Sequence, residues 1–224
     1  MQVENHKEEV PFEYYLGLFE KLDPAEAMER LPGCQWDGKA FTLTLLGKTY
    51  RISWPAYECL PCHPEEPEAT KDPLPNEDGD SSLTLRMTPT LQVQTFLLRY
   101  LLESREVAWK GTWKTFREMP WGEMYIKPYT GRVLTRAAFT FGTRVEKFRA
   151  ACEKMGATKL QHGDASYQFD FIGGYAMQIM VWEGDEEFPP NAQVLYSDNF
   201  ETGFAAEDRV VAGDILISAI KGNM

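Results

Sequence analysis

Between residues 11 and 31 the apolar positions Phe12, Tyr15, Leu16, Leu18, Phe19 and Leu22 recur at helical spacing until Asp23-Pro24 interrupts them. Asp23 suits an N-cap and Pro24 a first helical position, with Glu26 placed to reach back to the cap, so two short helices in an L-shape are predicted. The period then drops to two: residues 41–46 and 49–54 flank Gly47-Lys48 and predict a β-hairpin. A second hairpin is predicted at 167–172 and 175–182 around Gly173-Gly174. Its second strand is apolar on both faces, which marks a strand interior to a sheet. A short strand should follow at 193–196. Helical spacing recurs in three further stretches. One, opened by Thr88-Pro89 and running to about Ser104, is apolar over most of its circumference and so central. Another starts from a capping box of Thr143 and Glu146 and ends at Gly156. The last runs over 205–220 with Glu207 and Asp208 in its favourable first turn. Residues 109–141, rich in aromatics and turn formers, predict short strands and a hairpin around residues 129–132.

These elements predict an α+β fold, a mixed or antiparallel sheet packed against helices. At 224 residues and 43% hydrophobic the chain can bury one sizeable core. One α+β unit over 1–224 is the simplest division, with a possible N-terminal helix-and-hairpin lobe (1–60), a loop (61–80) and a main body (81–224). The loop has five prolines, seven acidic residues and almost nothing apolar, too little to offset the entropy of ordering it, so an exposed acidic proline-rich loop is expected.

Charge narrows the function. With 34 acidic against 23 basic residues the net charge is -11, which argues against general affinity for nucleic acid or an anionic membrane. No stretch approaches the roughly 18–20 apolar residues of a membrane span, and the N-terminal ten residues have no signal-peptide character, so a cytoplasmic protein is expected. The charge is unevenly spread: residues 99–159 hold 13 basic and 6 acidic side chains, residues 160–224 hold 2 and 11. Either the basic middle simply faces the acidic C-terminal part, or Arg132 and Arg136 line a cleft for an anionic ligand, since a guanidinium fork matches a carboxylate or phosphate.

Chemistry concentrates in two places. The apolar strand ending at Trp182 stops in Glu183-Gly-Asp185-Glu186-Glu187-Phe188 and a diproline. Close carboxylates can bind hard cations or split their pKa values for acid–base work, and equally suit a solvated turn. Glu183, Asp185 and Glu186 are the acids a hydrolase or lyase would use, and Trp113 and Trp182 could line a ligand cleft beside Arg132 and Arg136. The other place is Cys59-Leu-Pro-Cys62-His63, which has the spacing of a c-type haem site, a redox dithiol or half a zinc site. Haem attachment needs an export route that the N-terminus does not offer. A zinc site needs two more ligands, for which only Cys34, Cys152 and His162 are plausible. No cofactor is required by the sequence; zinc or iron at Cys59 and Cys62, with His63 beside them, is one it allows. Phosphate-loop, nucleophile-elbow and His-Glu-x-x-His motifs are absent.

His162-Gly-Asp164, the hairpin after it, Trp182-Glu-Gly-Asp-Glu-Glu-Phe-Pro189, Val194-Leu-Tyr196 and Ala206-Glu-Asp208 with its helix resemble the family catalogued as domain of unknown function 3786. The likeness extends through Phe141-Gly-Thr143 to the first hairpin. The family is found in anaerobic bacteria and archaea, and some members carry an N-terminal four-cysteine iron–sulfur segment that this chain lacks. The resemblance implies an accessory or ligand-binding module in anaerobic metal, iron–sulfur or corrinoid cofactor metabolism, with a small-molecule or protein partner in that pathway. The alternatives are the carboxylate-dependent hydrolase or lyase and a structural protein-interaction domain with a flat apolar patch.

Overall fold

The computed structural model describes residues 9–62 and 89–224. His63, most of the proline-rich loop and Thr88 lie outside the described residues. The fold is α+β, and every strand pairing in it is antiparallel.

The N-terminal part forms as its periodicity predicts, with the hairpin turn one residue earlier than the expected Gly47-Lys48. Helix α1 (Glu9–Phe19) and helix α2 (Pro24–Arg30) are separated by Asp23, whose carboxylate accepts the Ala25 N–H at 2.8 Å. Strand β1 (Gln35–Trp36) pairs with β2 (Ala40–Leu45), which turns through Leu46-Gly47 into β3 (Lys48–Ser53). Both turn residues have positive φ, the geometry that a two-residue turn between twisted strands demands. Strand β4 (Glu58–Cys62) closes this edge. Helix α3 (Leu91–Glu103), capped by Thr90, buries Phe96, Leu97, Leu98, Tyr100 and Leu101 and packs on α1.

Residues 109–141 depart from expectation. Only β5 (Trp113–Thr115) is extended; a single 3₁₀ turn (Phe116–Glu118) follows, then α4 (Gly122–Tyr129), a π-helical segment (Thr130–Thr135) and α5 (Arg136–Phe141) run on from one another. The hairpin expected at 129–132 does not exist. Buried Tyr129, Val133, Ala137 and Phe141 are spaced by four, a helical period that outweighs the local turn signal of Thr130-Gly131. Helix α6 (Val145–Lys154) starts without the expected capping box, because the Thr143 hydroxyl donates back to Phe139 O at 3.3 Å.

Two short elements that the pattern does not announce, β6 (Thr158–Lys159) and α7 (Phe200–Gly203), accompany those it predicts: β7 (Ala165–Ile172), β8 (Tyr175–Trp182), β9 (Asn191–Ser197) and the long α8 (Ala206–Gly222). The strand order is β4-β3-β2-β7-β8-β9-β5, with β1 added on β2 and β6 on β7. β8 is buried on both faces up to Val181. The N-terminal hairpin joins this sheet narrowly, through Leu45 paired with Ile172 and the Leu46 N–H on Phe171 O. An aromatic cluster packs α3 against the sheet and the segment before α8: Phe204 stacks on Phe96 and Phe200 and meets Tyr175 edge-on.

Candidate functional site

The stretches singled out in the sequence separate in space. Arg132 and Arg136 converge on Asp214 in the middle of α8, Arg132 Nη2 at 2.9 Å and Arg136 through Nη1. Gln92 donates to the same carboxylate at 2.7 Å, and Arg136 Nη2 donates to the Ser218 hydroxyl at 2.9 Å. These pairs join the basic middle to the acidic C-terminal part through α8, and among the described residues neither arginine is ion-paired with the acidic turn.

That turn is held by its own backbone. Asp185 Oδ1 accepts the N–H groups of Glu187 and Phe188 at 2.8 and 2.7 Å, which pulls its pKa below the usual carboxylate range. The Glu183 N–H donates to Asp164 at 2.7 Å, so Asp164 anchors the turn's entrance. The Gly184 N–H reaches Gly142 O at 3.3 Å. A Cβ on Gly142 would lie 2.5 Å from Pro190 Cβ and 2.8 Å from Trp182 O, so this docking needs glycine. The side chains of Trp182, Glu183, Asp185, Glu186 and Glu187 are exposed. Trp113 lies elsewhere, on edge strand β5 against Trp109.

Cys59 and Cys62 share β4, where residues three apart point to opposite faces. Cys59 is buried, and burial pushes its thiol up to about 11, while Cys62 is exposed. Cys34 and Cys152, the proposed further ligands, are buried in the core, and burial pushes the Cys34 thiol up to about 12. Among the described residues no group of three or more His, Cys, Asp or Glu side chains is arranged to hold a metal ion.

A concave site lies instead where α8 begins. A cleft of about 360 Å³ is lined by Glu103 and Ser104 at the end of α3, Pro120 and Trp121 before α4, Glu201–Ala205 around α7, and Ala206 and Asp208 of α8. Trp121 has a left-handed backbone (φ 63°) and is 68% exposed. A tryptophan in that conformation costs roughly 1–2 kcal/mol. Gly122, immediately after it, lies so close to Phe116 O that any Cβ there would clash, so α4 starts tightly packed on the preceding 3₁₀ turn. Tyr125, one turn on, donates to Glu207 Oε1 at 2.8 Å and braces α4 against α8.

Behind the cleft wall sits Arg209, 1% exposed. Its Nη2 donates to Pro120 O at 2.8 Å and its Nε to Phe204 O and Ala205 O at 3.2 and 3.3 Å, three carbonyls of lining residues. Its Nη1 has no partner, and no carboxylate pairs with it among the described residues. Helix α8 begins at Ala205 without a side-chain cap, so its first N–H groups face the cleft end of the helix unclaimed. The acids in the lining have partners. Asp208 takes Arg99 through Nε at 2.6 Å and Nη2 at 2.9 Å, and burial pushes its pKa up against that pull. Glu103 shares Arg99 at 3.1 Å, and Glu201 takes Lys114 at 2.5 Å. Arg99 also lies over the Tyr15 ring, 4.9 Å from its centroid, and so ties α1 to this end of α8.

None of Trp121, Arg209, Glu103 or Glu201 stood out in the sequence. One signal for Arg209 was there: it is one of two basic residues in the acidic stretch 160–224. The helix start Phe204-Ala-Ala-Glu-Asp208 also lacks any Ser, Thr, Asp or Asn at the cap position.

No helix among the described residues is long and apolar enough to cross a membrane. No curated protein and no solved structure matches the chain. A family model, Domain of unknown function (DUF3786), matches residues 72–219, which takes in β5 to β9, the acidic turn and every residue that lines the cleft. The chain belongs to the DUF3786 family.

Proposed function

We propose that this protein is a ligand-binding module and that its site is the cleft at the start of α8. The observation that carries the reading is Trp121: a large ring held in a left-handed backbone and left exposed at the mouth of a concave site. Strain of this kind concentrates where a fold holds a group ready for a ligand. About 360 Å³ is at the low end of the roughly 300–1,000 Å³ typical of small-molecule sites, the size of a small metabolite rather than a corrinoid macrocycle. The accessory role in cofactor metabolism that the family likeness implies then concerns small precursors.

The hydrolase or lyase reading gains little from the geometry. Glu183, Asp185 and Glu186 are exposed, and the backbone N–H groups of Phe188 and Glu187 hold the Asp185 carboxyl below its usual range. A protein-interaction surface is favoured by one observation: Phe188 in the acidic turn and Phe139 in α5 are 67% and 58% exposed, and the turn docks at Gly142 just past α5 through the Gly184 N–H.

A thermal-shift screen of small metabolites, run on the wild type, Trp121→Ala and an Asp185→Asn/Glu186→Gln double variant, tests these readings. The expected result is a stabilising compound whose shift is lost in Trp121→Ala and kept in the double variant. A ligand at a hundred times its Kd stabilises by about 2.7 kcal/mol, well within detection. A shift lost only in the double variant would move the site to the acidic turn.

A further inference from the structure

Three large aromatic side chains that the fold leaves exposed belong to the acidic turn and to the helix end on which it rests: Trp182 at the end of β8, Phe188 in the turn, and Phe139 in the last turn of α5. The turn lies against that helix end, with the Gly184 N–H on Gly142 O and the Gly142 Cα packed under Pro190 and Trp182 O. Phe139 is three residues before Gly142, a spacing that puts the two on one side of the helix.

Phe188 is fixed in this exposed place. The Asp185 N–H donates to Phe188 O at 2.9 Å, the Phe188 N–H returns to Asp185 Oδ1 at 2.7 Å, and Pro189 and Pro190 stiffen the chain that follows. An aromatic ring on a fixed backbone loses little freedom when it is covered, which is the property of an anchor in a protein interface.

Charge narrows what can cover it. Glu183, Glu186 and Glu187 around the ring are exposed, and among the described residues none has an ion-pair partner, whereas Asp208, Asp214 and Glu201 each meet Arg or Lys. No Lys or Arg occurs from residue 160 to 208, and Arg132 and Arg136 are committed to Asp214. A purely apolar partner would desolvate these carboxylates without compensation, and an acidic one would be repelled. A second copy carries the same net charge of -11, and a two-fold contact through this face would set acidic turn against acidic turn.

Resting on the interaction reading of the turn, and independent of the cleft, we propose that this face docks a partner protein through a basic amphipathic segment. Its apolar side chains cover Phe188 and Phe139, and its Lys or Arg side chains pair with Glu183, Glu186 and Glu187.

The test pans a displayed library of random peptides against the full chain. Enriched peptides are then titrated by fluorescence anisotropy into the wild type, Phe188→Ser, Phe139→Ser, a Glu183→Gln/Glu186→Gln/Glu187→Gln triple variant and Trp121→Ala. All these positions are exposed, and thermal melting by circular dichroism checks that each variant stays folded. The enriched sequences should combine Lys or Arg with apolar residues. Affinity should fall about tenfold or more in Phe188→Ser, less in Phe139→Ser, and be unchanged in Trp121→Ala. The triple variant should lose about threefold or more and most of the salt dependence seen with the wild type. No enrichment, enrichment of acidic peptides, or binding that survives Phe188→Ser would overturn the proposal. So would a wild-type dimer in sedimentation equilibrium that Phe188→Ser dissociates, since a second copy would then be the occupant. Peptides released by Trp121→Ala alone would place the binding in the cleft instead. The cleft reading fails separately, when the metabolite screen gives no shift that depends on Trp121.

Discussion

Replacing Arg209 with methionine tests whether the cleft wall is built as described. The guanidinium is buried and holds three carbonyls through two of its nitrogens: one strong bond to Pro120 O at 2.8 Å and a shared one to Phe204 O and Ala205 O at 3.2 and 3.3 Å. Hydrogen bonds to a charged group contribute about 1.5–3 kcal/mol each, so two effective bonds amount to about 3–6 kcal/mol. Against this, methionine of similar length removes a buried unneutralised charge whose desolvation opposes folding, an effect that makes some buried charges dispensable. Here the carbonyls of Pro120 and Phe204 would lose their donor at a position where Arg209 is 1% exposed, so the bonds are expected to win by about 2–4 kcal/mol. For a chain of this length that lowers Tm by roughly 5–15 °C. Urea unfolding followed by circular dichroism, with the slope unchanged, is the assay. Arg209→Lys, whose single ammonium cannot fork to both sites, should fall between. An Arg209→Met protein as stable as the wild type would refute the reasoning, because the guanidinium would then cost as much as it holds together.

Two further outcomes are expected. Asp198 is buried, and although burial alone would raise its pKa, bonds from the Thr112 hydroxyl (2.6 Å), the Thr112 N–H (2.9 Å) and the Lys110 N–H (3.1 Å) hold it below the ordinary value. A depressed carboxylate stabilises the fold above its unfolded pKa and loses that contribution as pH falls through the folded one, so acid should erode stability below about pH 4, and Asp198→Asn should flatten that slope in denaturant titrations. Thiol titration of the native protein should find Cys62 reacting at neutral pH, with Cys59, buried and pushed up to about 11, reacting only on unfolding. Equal rates would mean that the two thiols share an environment.

Much of the fold was legible because long-range packing agrees with local pattern there. Both hairpins carry period-two patterns and glycine turns, and β8 reads as interior from apolar residues on both faces alone. The stretch 109–141 was misread because its deciding signal is burial at spacing four through a π segment, whereas Thr130-Gly131 is a strong turn signal only in isolation. The candidate site was harder still. The acidic turn is conspicuous in sequence because its carboxylates are consecutive, yet consecutive residues on a turn point apart, and here one of them is used to fix the turn itself. The cleft is inconspicuous for the opposite reason. Glu103, Trp121, Glu201 and Arg209 are scattered along the chain, and only the packing of α3, α4 and α8 brings them together. The Arg132–Arg136 pair illustrates the same limit: sequence showed that two guanidinium groups needed an acid, and the fold chose Asp214 rather than the turn.

The most direct test of the cleft as the working site is a calorimetric titration of one stabilising ligand into three proteins: wild type, Trp121→Ala, and the Asp185→Asn/Glu186→Gln double variant. At least about a tenfold loss of affinity is expected in Trp121→Ala and an unchanged isotherm in the double variant. An isotherm indifferent to Trp121 but abolished by the changes at 185 and 186 would contradict it and return the function to the acidic turn.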